Sequence, residues 1–267
     1  QDIKYDLLVL KWYGVEIKGK VFDTMLAHYV IESEGRRNMD LLSAQYLGDL
    51  PFSITDIIGK KGKGQATMRD VDVEKVKEYA VEDADITRQL KNVFTPYLKK
   101  RQVEQVFNDV EMPLVKVLVD MEFEGVKVDM NFLNVYSKEL ETEAAKCEQS
   151  VYEQAGIKFN LASPKQLGEV LFEKMQIGIQ TKKTKGGQHA TGEDVLLKLA
   201  KDNPIVENIL NFRELTKLKS TYVDALPQII NRRTQRVHTC YGQAIAVTGR
   251  LSSNNPNHQN IPIRTER

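Results

Sequence analysis

The strongest restriction on this chain is a helical hydrophobic period carried through its middle. Val73, Val76, Tyr79, Ala80, Ala84, Thr87 and Leu90 recur at three- and four-residue intervals, as do Val106, Val110, Leu114, Val117, Leu118 and Met121. That spacing gathers side chains on one face of a helix and scatters them over both faces of a strand, so it specifies amphipathic helices. The first is expected from Val71 to Phe94, opening after Asp70 and ending before Pro96. The second should span Val103 to Phe123, with Pro113 kinking it rather than breaking it. Asn131 to Ala155, rich in Glu and Lys, reads as part of a long, partly exposed antiparallel hairpin. Shorter helices are expected at residues 4–13 and 23–31, each opening near an Asp. Others should run from Ser163-Pro164 to Met175, from Glu193 to Ala200, and from Pro204 to about Tyr222. GVEIKGKVF reads as a strand or extended link, residues 49–70 as mostly loop, and Gly178 to Gly192 as a polar, basic loop. Only near the end do short β-prone runs occur, RVHTC, QAIAVTG and NIPIR, which predict the start of a small sheet.

The length of 267 residues and the 41% hydrophobic content suffice for one large or two ordinary domains. With 28% charged residues and little Gly or Pro, disordered, collagen-like and disulfide-scaffold classes are excluded. No apolar run approaches 18 residues, so no membrane span is expected. Cys147 and Cys240 lie far apart and read as free thiols of a reducing compartment, the cytosol. The near-neutral net charge conceals an asymmetry: residues 1–156 hold 21 Lys and Arg against 28 Asp and Glu, and residues 157–267 hold 17 against 9. An acidic half suits metal ions or a solvated surface, and a basic half suits a polyanion. Opening on Gln and closing on IPIRTER, the chain reads as a segment of a longer polypeptide.

Four groups of residues have the chemistry for a site. In YAVEDADIT, Tyr79 and Asp83 stand four apart on one helical face, where a phenol beside a carboxylate can orient a metal-bound water. The same pattern also fits a solvated acidic face. Asp6, in KYD at the start of a helix, reads by itself as a helix-capping residue. Lys182, Lys183 and Lys185 with Gly186 and Gly187 put charge on a flexible loop, while Arg213, Lys217 and Lys219 recur at roughly helical spacing. Both suit phosphate contact, and both suit a solubilising surface. In TGRLSS and the following PNHQN, Arg250, Asn257, Gln259 and Asn260 present donors and acceptors of the kind that read minor-groove edges, or form a plain turn. The four histidines have no partners at zinc-ligand spacing, GKKGKG lacks the Walker Lys-Ser/Thr, and Trp12 is expected in a core.

Taken in order, DIKYD, FDTMLAHYVI, NMDLLSAQYL and YAVEDAD resemble the second and third motifs of the DEDDy proofreading 3′-5′ exonucleases. EMPLVKVLVDMEFEGVKVD, FNLASPKQLGEVLFEK, FRELTKLKSTYVDALP and TGRLSSNNPNHQNIPIR continue the series, so that the whole chain resembles the bacterial family A DNA polymerases of the polymerase I type. The resemblance implies an α/β, helix-dominated fold. Residues 1–100 would be the C-terminal part of a ribonuclease-H-like exonuclease domain, 101–230 a mainly helical thumb, and 231–267 the first β-strands of a palm. It also implies roles. Asp6 and Asp83 would be two of four carboxylates holding two Mg²⁺ or Mn²⁺ ions about 4 Å apart. Tyr79 would position the attacking water, and the basic and amide residues named above would contact DNA. Asp2 stands where the family usually has Asn, and a carboxylate there repels phosphate.

The first two carboxylates, an Asp-x-Glu pair, are expected upstream of Gln1, and the polymerase Asp-Tyr-Ser and His-Asp-Glu motifs downstream of Arg267. This stretch alone is therefore expected to be catalytically incomplete. The implied partners are primer-template DNA, single-stranded 3′ ends and deoxynucleotides, with no membrane, for a monomer of the bacterial cytoplasm associated with the nucleoid. Two other readings are a DNA-binding module whose parent lost proofreading, and a free-standing ribonuclease-D-like exonuclease, which shares KYD and YxxxD but predicts neither TGRLSS nor PNxQNIP.

Overall fold

The computed structural model describes residues 1–178 and 186–261. Helices dominate. They are α1 (Ile3–Trp12), α2 (Thr24–Ile31), α3 (Met39–Tyr46), α4 (Ile54–Ile58), α5 (Val73–Lys100), α6 (Glu104–Val106), α7 (Met112–Glu124), α8 (Met130–Ala155), α9 (Pro164–Gly168), α10 (Glu193–Ala200), α11 (Pro204–Leu218) and α12 (Ala225–Gln228). Wider π-type turns extend α6 into α7 (Phe107–Glu111), continue α9 (Glu169–Lys174) and continue α11 (Lys219–Val223). Among the described residues the sheet is one antiparallel pair, β1 (Cys240–Gly242) with β2 (Ser252–Asn254), in register Cys240 to Asn254 and Gly242 to Ser252. No described helix is long and apolar enough to cross a membrane.

The chain forms two compact units. Gln1–Gly125 and His238–Asn260 make the first, Val126–Val237 the second. In the first, Leu26, Leu42, Ile86, Leu90, Phe94, Leu98, Phe107, Val115 and Val119 form one buried core. In the second, α8 packs along α11, and Val151, Leu167, Leu171, Leu196, Val206 and Ile209 form its main core.

Two expectations are corrected. The helix expected to stop before Pro96 runs on to Lys100. Phe94 and Leu98 are both buried in the same core, and this burial outweighs the cost of about 3 kcal/mol for an interior proline. The segment 14–22, expected as a strand or an extended link, holds no strand and is the link between α1 and α2. QAIAVTG is a turn rather than a strand, while the unexpected SSN forms β2, so a strand pair arises where propensity alone did not place it. At Pro113 the helical path from Glu104 to Glu124 is unbroken, and the widened turn lies immediately ahead of the proline, whose missing N–H would otherwise interrupt the ladder.

His28 of α2 is 3% exposed, its Nε2 lies 3.2 Å from the Tyr46 hydroxyl, and its Nδ1 has no partner. Burial, and then the Arg37 cation, hold its pKa below the ordinary value. The unfolded chain therefore takes up this proton first as pH falls, and stability drops below about pH 6.5. Thermal melting at pH 7 and pH 5 should show this loss, and His28→Leu should flatten that part of the profile.

Candidate functional site

The acidic site is built from α1, the start of α2 and the N-terminal half of α5. Asp6 lies in the first turn of α1 with its side chain exposed. Desolvation raises its pKa, against the pull of the amino group at Gln1, and the Asp23 carboxylate adds to the rise. On α5, the Tyr79 hydroxyl donates to the Asp83 carboxylate, as their four-residue spacing allows. Burial and then this bond push the Tyr79 pKa up to about 12, so the phenol remains a donor throughout the physiological range. Asp83 itself is raised by desolvation, although the Tyr79 bond opposes this, with Asp40 and Glu82 adding repulsion. Its Oδ1 is buried and has no hydrogen-bond partner. The amino group of Gln1 pulls the pKa of both Asp6 and Asp83 down, against the desolvation that raises each.

These are hard oxygen donors, and an orphaned carboxylate oxygen fits a divalent cation in kind. They do not suffice in number, because among the described residues no three His, Cys, Asp or Glu side chains form a metal-holding group. Asp2, noted for its charge, makes no cap bond and has a left-handed backbone, and desolvation together with Asp23 raises its carboxyl.

Two carboxylates outside the candidate site residues organise this region. Asp23, 1% exposed, caps α2 by accepting from Met25 N at 2.8 Å and Leu26 N at 3.2 Å. It also accepts from Ile3 N at 2.7 Å and Asp2 N at 3.3 Å, so one side chain caps both α2 and α1. Its cap on α2 was legible from the preceding-Asp signal, but its cap on α1 joins residues twenty apart. Glu122 of α7, 3% exposed, receives Lys4 Nζ at 2.6 Å and Tyr241 N at 2.7 Å on the same oxygen. Its carbonyl lies 2.7 Å from His238 Nδ1. Lys4 carries a raised pKa: burial lowers it, but the Glu122 bond and charge more than compensate. At the other end of α1, Lys11 pairs with Asp120, and Trp12, half-buried rather than in the core, packs on Phe123 at 4.5 Å. The helix carrying Asp6 is thus clamped at both ends.

The basic candidates divide. Lys182, Lys183 and Lys185 lie outside the described residues. On α11 the Arg213 guanidinium donates to the Thr191 carbonyl and, at 3.5 Å, to its hydroxyl, and burial lowers its pKa. Lys219 sits 2.8 Å from Asp224 and 3.8 Å from Glu141, so both of these cations are engaged within the second unit. Lys217 is exposed.

At the C-terminal turn, Arg250, Asn257, Gln259 and Asn260 are all exposed. Beneath them two buried hydroxyls fix the backbone. Thr239 Oγ1 lies 2.9 Å from Ser253 Oγ, 2.9 Å from the Asn254 carbonyl and 2.7 Å from that of Pro256. Ser253 Oγ in turn accepts from His258 N at 3.1 Å. Gln259 Nε2 donates to the Leu251 carbonyl at 2.8 Å, and its N–H to Asn257 Oδ1 at 3.0 Å, so the Gln259 amide is positioned before any ligand binds. Gln243, Arg37 and Tyr29 hold the preceding segment through Glu111, Ala244 and Ala246 respectively.

Residues 1–99 match the 3′-5′ exonuclease family and residues 130–267 match DNA polymerase family A. The chain is 45% identical to DNA polymerase I of Rhizobium leguminosarum, over 99% of this chain and 26% of that protein. It is 44% identical to DNA polymerase I of Pseudomonas aeruginosa, over 99% and 29%. It therefore spans less than a third of these relatives. A solved POL domain of Pol1 from M. smegmatis, in complex with DNA primer-template and dNTP, is 30% identical with a TM-score of 0.81, covering 100% of this chain and 43% of that one. The polymerase match takes in just over half of the residues, from the start of α8 through the Arg250 turn, and the chain belongs to DNA polymerase family A.

Proposed function

We propose that the protein containing this chain is a DNA-directed DNA polymerase of replication and repair with an associated 3′-5′ proofreading exonuclease. The observation that carries this reading is the pairing, on one chain, of an exonuclease match over residues 1–99 with a polymerase match over 130–267. A free-standing ribonuclease-D-like exonuclease leaves the second match without a role. In this reading residues 1–100 are the C-terminal part of the exonuclease domain, 101–230 the thumb and 231–267 the start of the palm.

Asp6 and Asp83 would hold divalent metal with carboxylates from upstream in the longer protein. Magnesium or manganese, when bound, supplies Lewis-acid activation of water and stabilises developing charge at phosphorus. The chain's own contribution is positional. Tyr79, kept protonated, fixes the Asp83 carboxylate through one oxygen and leaves Oδ1 for a ligand. The desolvation that raises Asp83 also strengthens its attraction for a cation.

Arg250, Asn257, Gln259 and Asn260 would read minor-groove acceptors at the primer terminus, with Lys182, Lys183, Lys185 and Lys217 on phosphates. Arg213 and Lys219 would reach phosphate only by leaving Thr191 and Asp224, so they serve first to shape α11. The protein would act on primer-template DNA, single-stranded 3′ ends and deoxynucleotides, as a cytoplasmic, nucleoid-associated monomer. Steady-state primer extension by the longer protein tests the polymerase part. Arg250→Ala removes a charged donor worth about 1.5–3 kcal/mol and should lower kcat/KM about 10-fold or more. Unchanged extension kinetics would overturn the assignment.

A further inference from the structure

The run Gly59–Gly64 matches no nucleotide-binding pattern and has no part in the site above, yet its setting is that of a binding element. Lys60, Lys61 and Lys63 are exposed, and none has an ion-pair partner among the described residues. The nearest carboxylates in sequence are committed elsewhere. Asp56 accepts from Ser53 N at 3.1 Å in a capping box, and Asp70 accepts from Thr67 N at 2.9 Å and its hydroxyl at 2.8 Å, bonds that hold the Asp70 pKa down. The base of the loop is closed by Ala66 N to the Ile58 carbonyl at 2.9 Å and by Gln65 Nε2 to the Gly59 carbonyl at 3.2 Å. At its tip a Cβ added at Gly62 or Gly64 would meet nothing within 4 Å, so the backbone between the lysines is open to close approach.

The location supplies the second argument. Phe52 N donates to Glu82 Oε2 at 2.8 Å, tethering the segment that leads into the loop to α5 one residue before Asp83. A closed loop with three unneutralised cations and no bulk between them suits a chain of anions, and flexible lysines track a backbone without reading bases. We propose that Lys60, Lys61 and Lys63 grip the phosphodiester backbone of the single strand whose 3′ end reaches Asp83. This rests on the exonuclease reading.

The test uses the longer polymerase and the triple variant K60Q/K61Q/K63Q, with K60R/K61R/K63R as the charge-preserving control. Hydrolysis of a labelled oligothymidylate is followed across salt concentrations, alongside primer extension on duplex. With about 0.7 of salt slope per single-strand phosphate, losing three contacts should lower the slope of log KM against log salt by about 2 and raise KM about 10-fold at low salt. The kcat should stay within about twofold, extension KM should be unchanged, and the arginine variant should match the parent. An unchanged KM for the glutamine variant overturns the proposal, as does an equal rise in extension KM, which would mark a general polyanion surface. Anisotropy of a fluorescent oligothymidylate in EDTA reads the grip without hydrolysis. If the parent polymerase hydrolyses nothing yet the triple variant loses binding, the exonuclease reading fails and the grip stands. If binding is unaltered, the grip fails.

Discussion

On the proposed exonuclease reading, Asp83→Ala in the longer protein is expected to abolish 3′-end hydrolysis while leaving the fold at least as stable. Outer-sphere partners of metal ligands already contribute about 10–100-fold, so on that reading loss of the carboxylate whose buried Oδ1 has no hydrogen-bond partner should cost at least about 100-fold in hydrolysis of a 3′ end. Stability should move the opposite way. An acid whose folded pKa is raised binds its proton more readily when folded, so its ionised form weakens the fold at neutral pH. That penalty disappears as pH falls through the folded and then the unfolded pKa. Asp83→Asn should therefore melt higher than the parent at pH 7, and the difference should close in acid below the ordinary carboxylate value of 3.8. A carboxylate retained for structure would show the reverse, with melting lowered and hydrolysis preserved. Oligonucleotide hydrolysis and calorimetry on the same two variants separate the cases.

Glu122→Ala should be the most damaging of the substitutions discussed. It would strand a nearly buried Lys4 ammonium and the Tyr241 N–H together, and removing one partner of a buried ion pair costs about 3–5 kcal/mol. The paired replacement Lys4→Met with Glu122→Leu should cost much less, about 1–3 kcal/mol, because only the Tyr241 N–H then lacks an acceptor. Denaturant unfolding of the two variants gives the comparison. Equal losses would mean that the pair stabilises by packing alone. Because α1 is clamped through Lys4, Glu122→Ala should also lower 3′-end hydrolysis through displacement of Asp6, although Glu122 is no ligand.

Helix existence was legible because periodicity and capping are local. The stripes at 71–94 and 103–123 and the caps at Asp23 and Ser163 act within one or two turns of their own residue, whereas α5 is capped by Asp72 and not by the expected Asp70. Ends and strands were less legible. Whether α5 stops at Pro96 depends on what buries Leu98, and whether SSN becomes a strand depends on Cys240–Gly242 lying opposite it. The same limit applies at the site. Tyr79 and Asp83 could be paired from spacing alone, but Arg213, a phosphate contact by pattern, turns inward to Thr191.

What the sequence determined by itself was therefore family membership. Motif order, the acidic and basic halves, the helical period and the TGRLSS turn are properties of the residues in line, and they sufficed for family A. The tertiary structure decided which charges are spent and which are available. Glu122 and Asp23 are consumed in holding α1, Arg213 and Lys219 in shaping α11, while Asp83 Oδ1 has no hydrogen-bond partner and the lysines of the Gly59–Gly64 loop no ion-pair partner among the described residues. The physical reason is that a side chain's hydrogen-bonding capacity is fixed by its identity, whereas its partner is set by contacts between residues far apart in the chain.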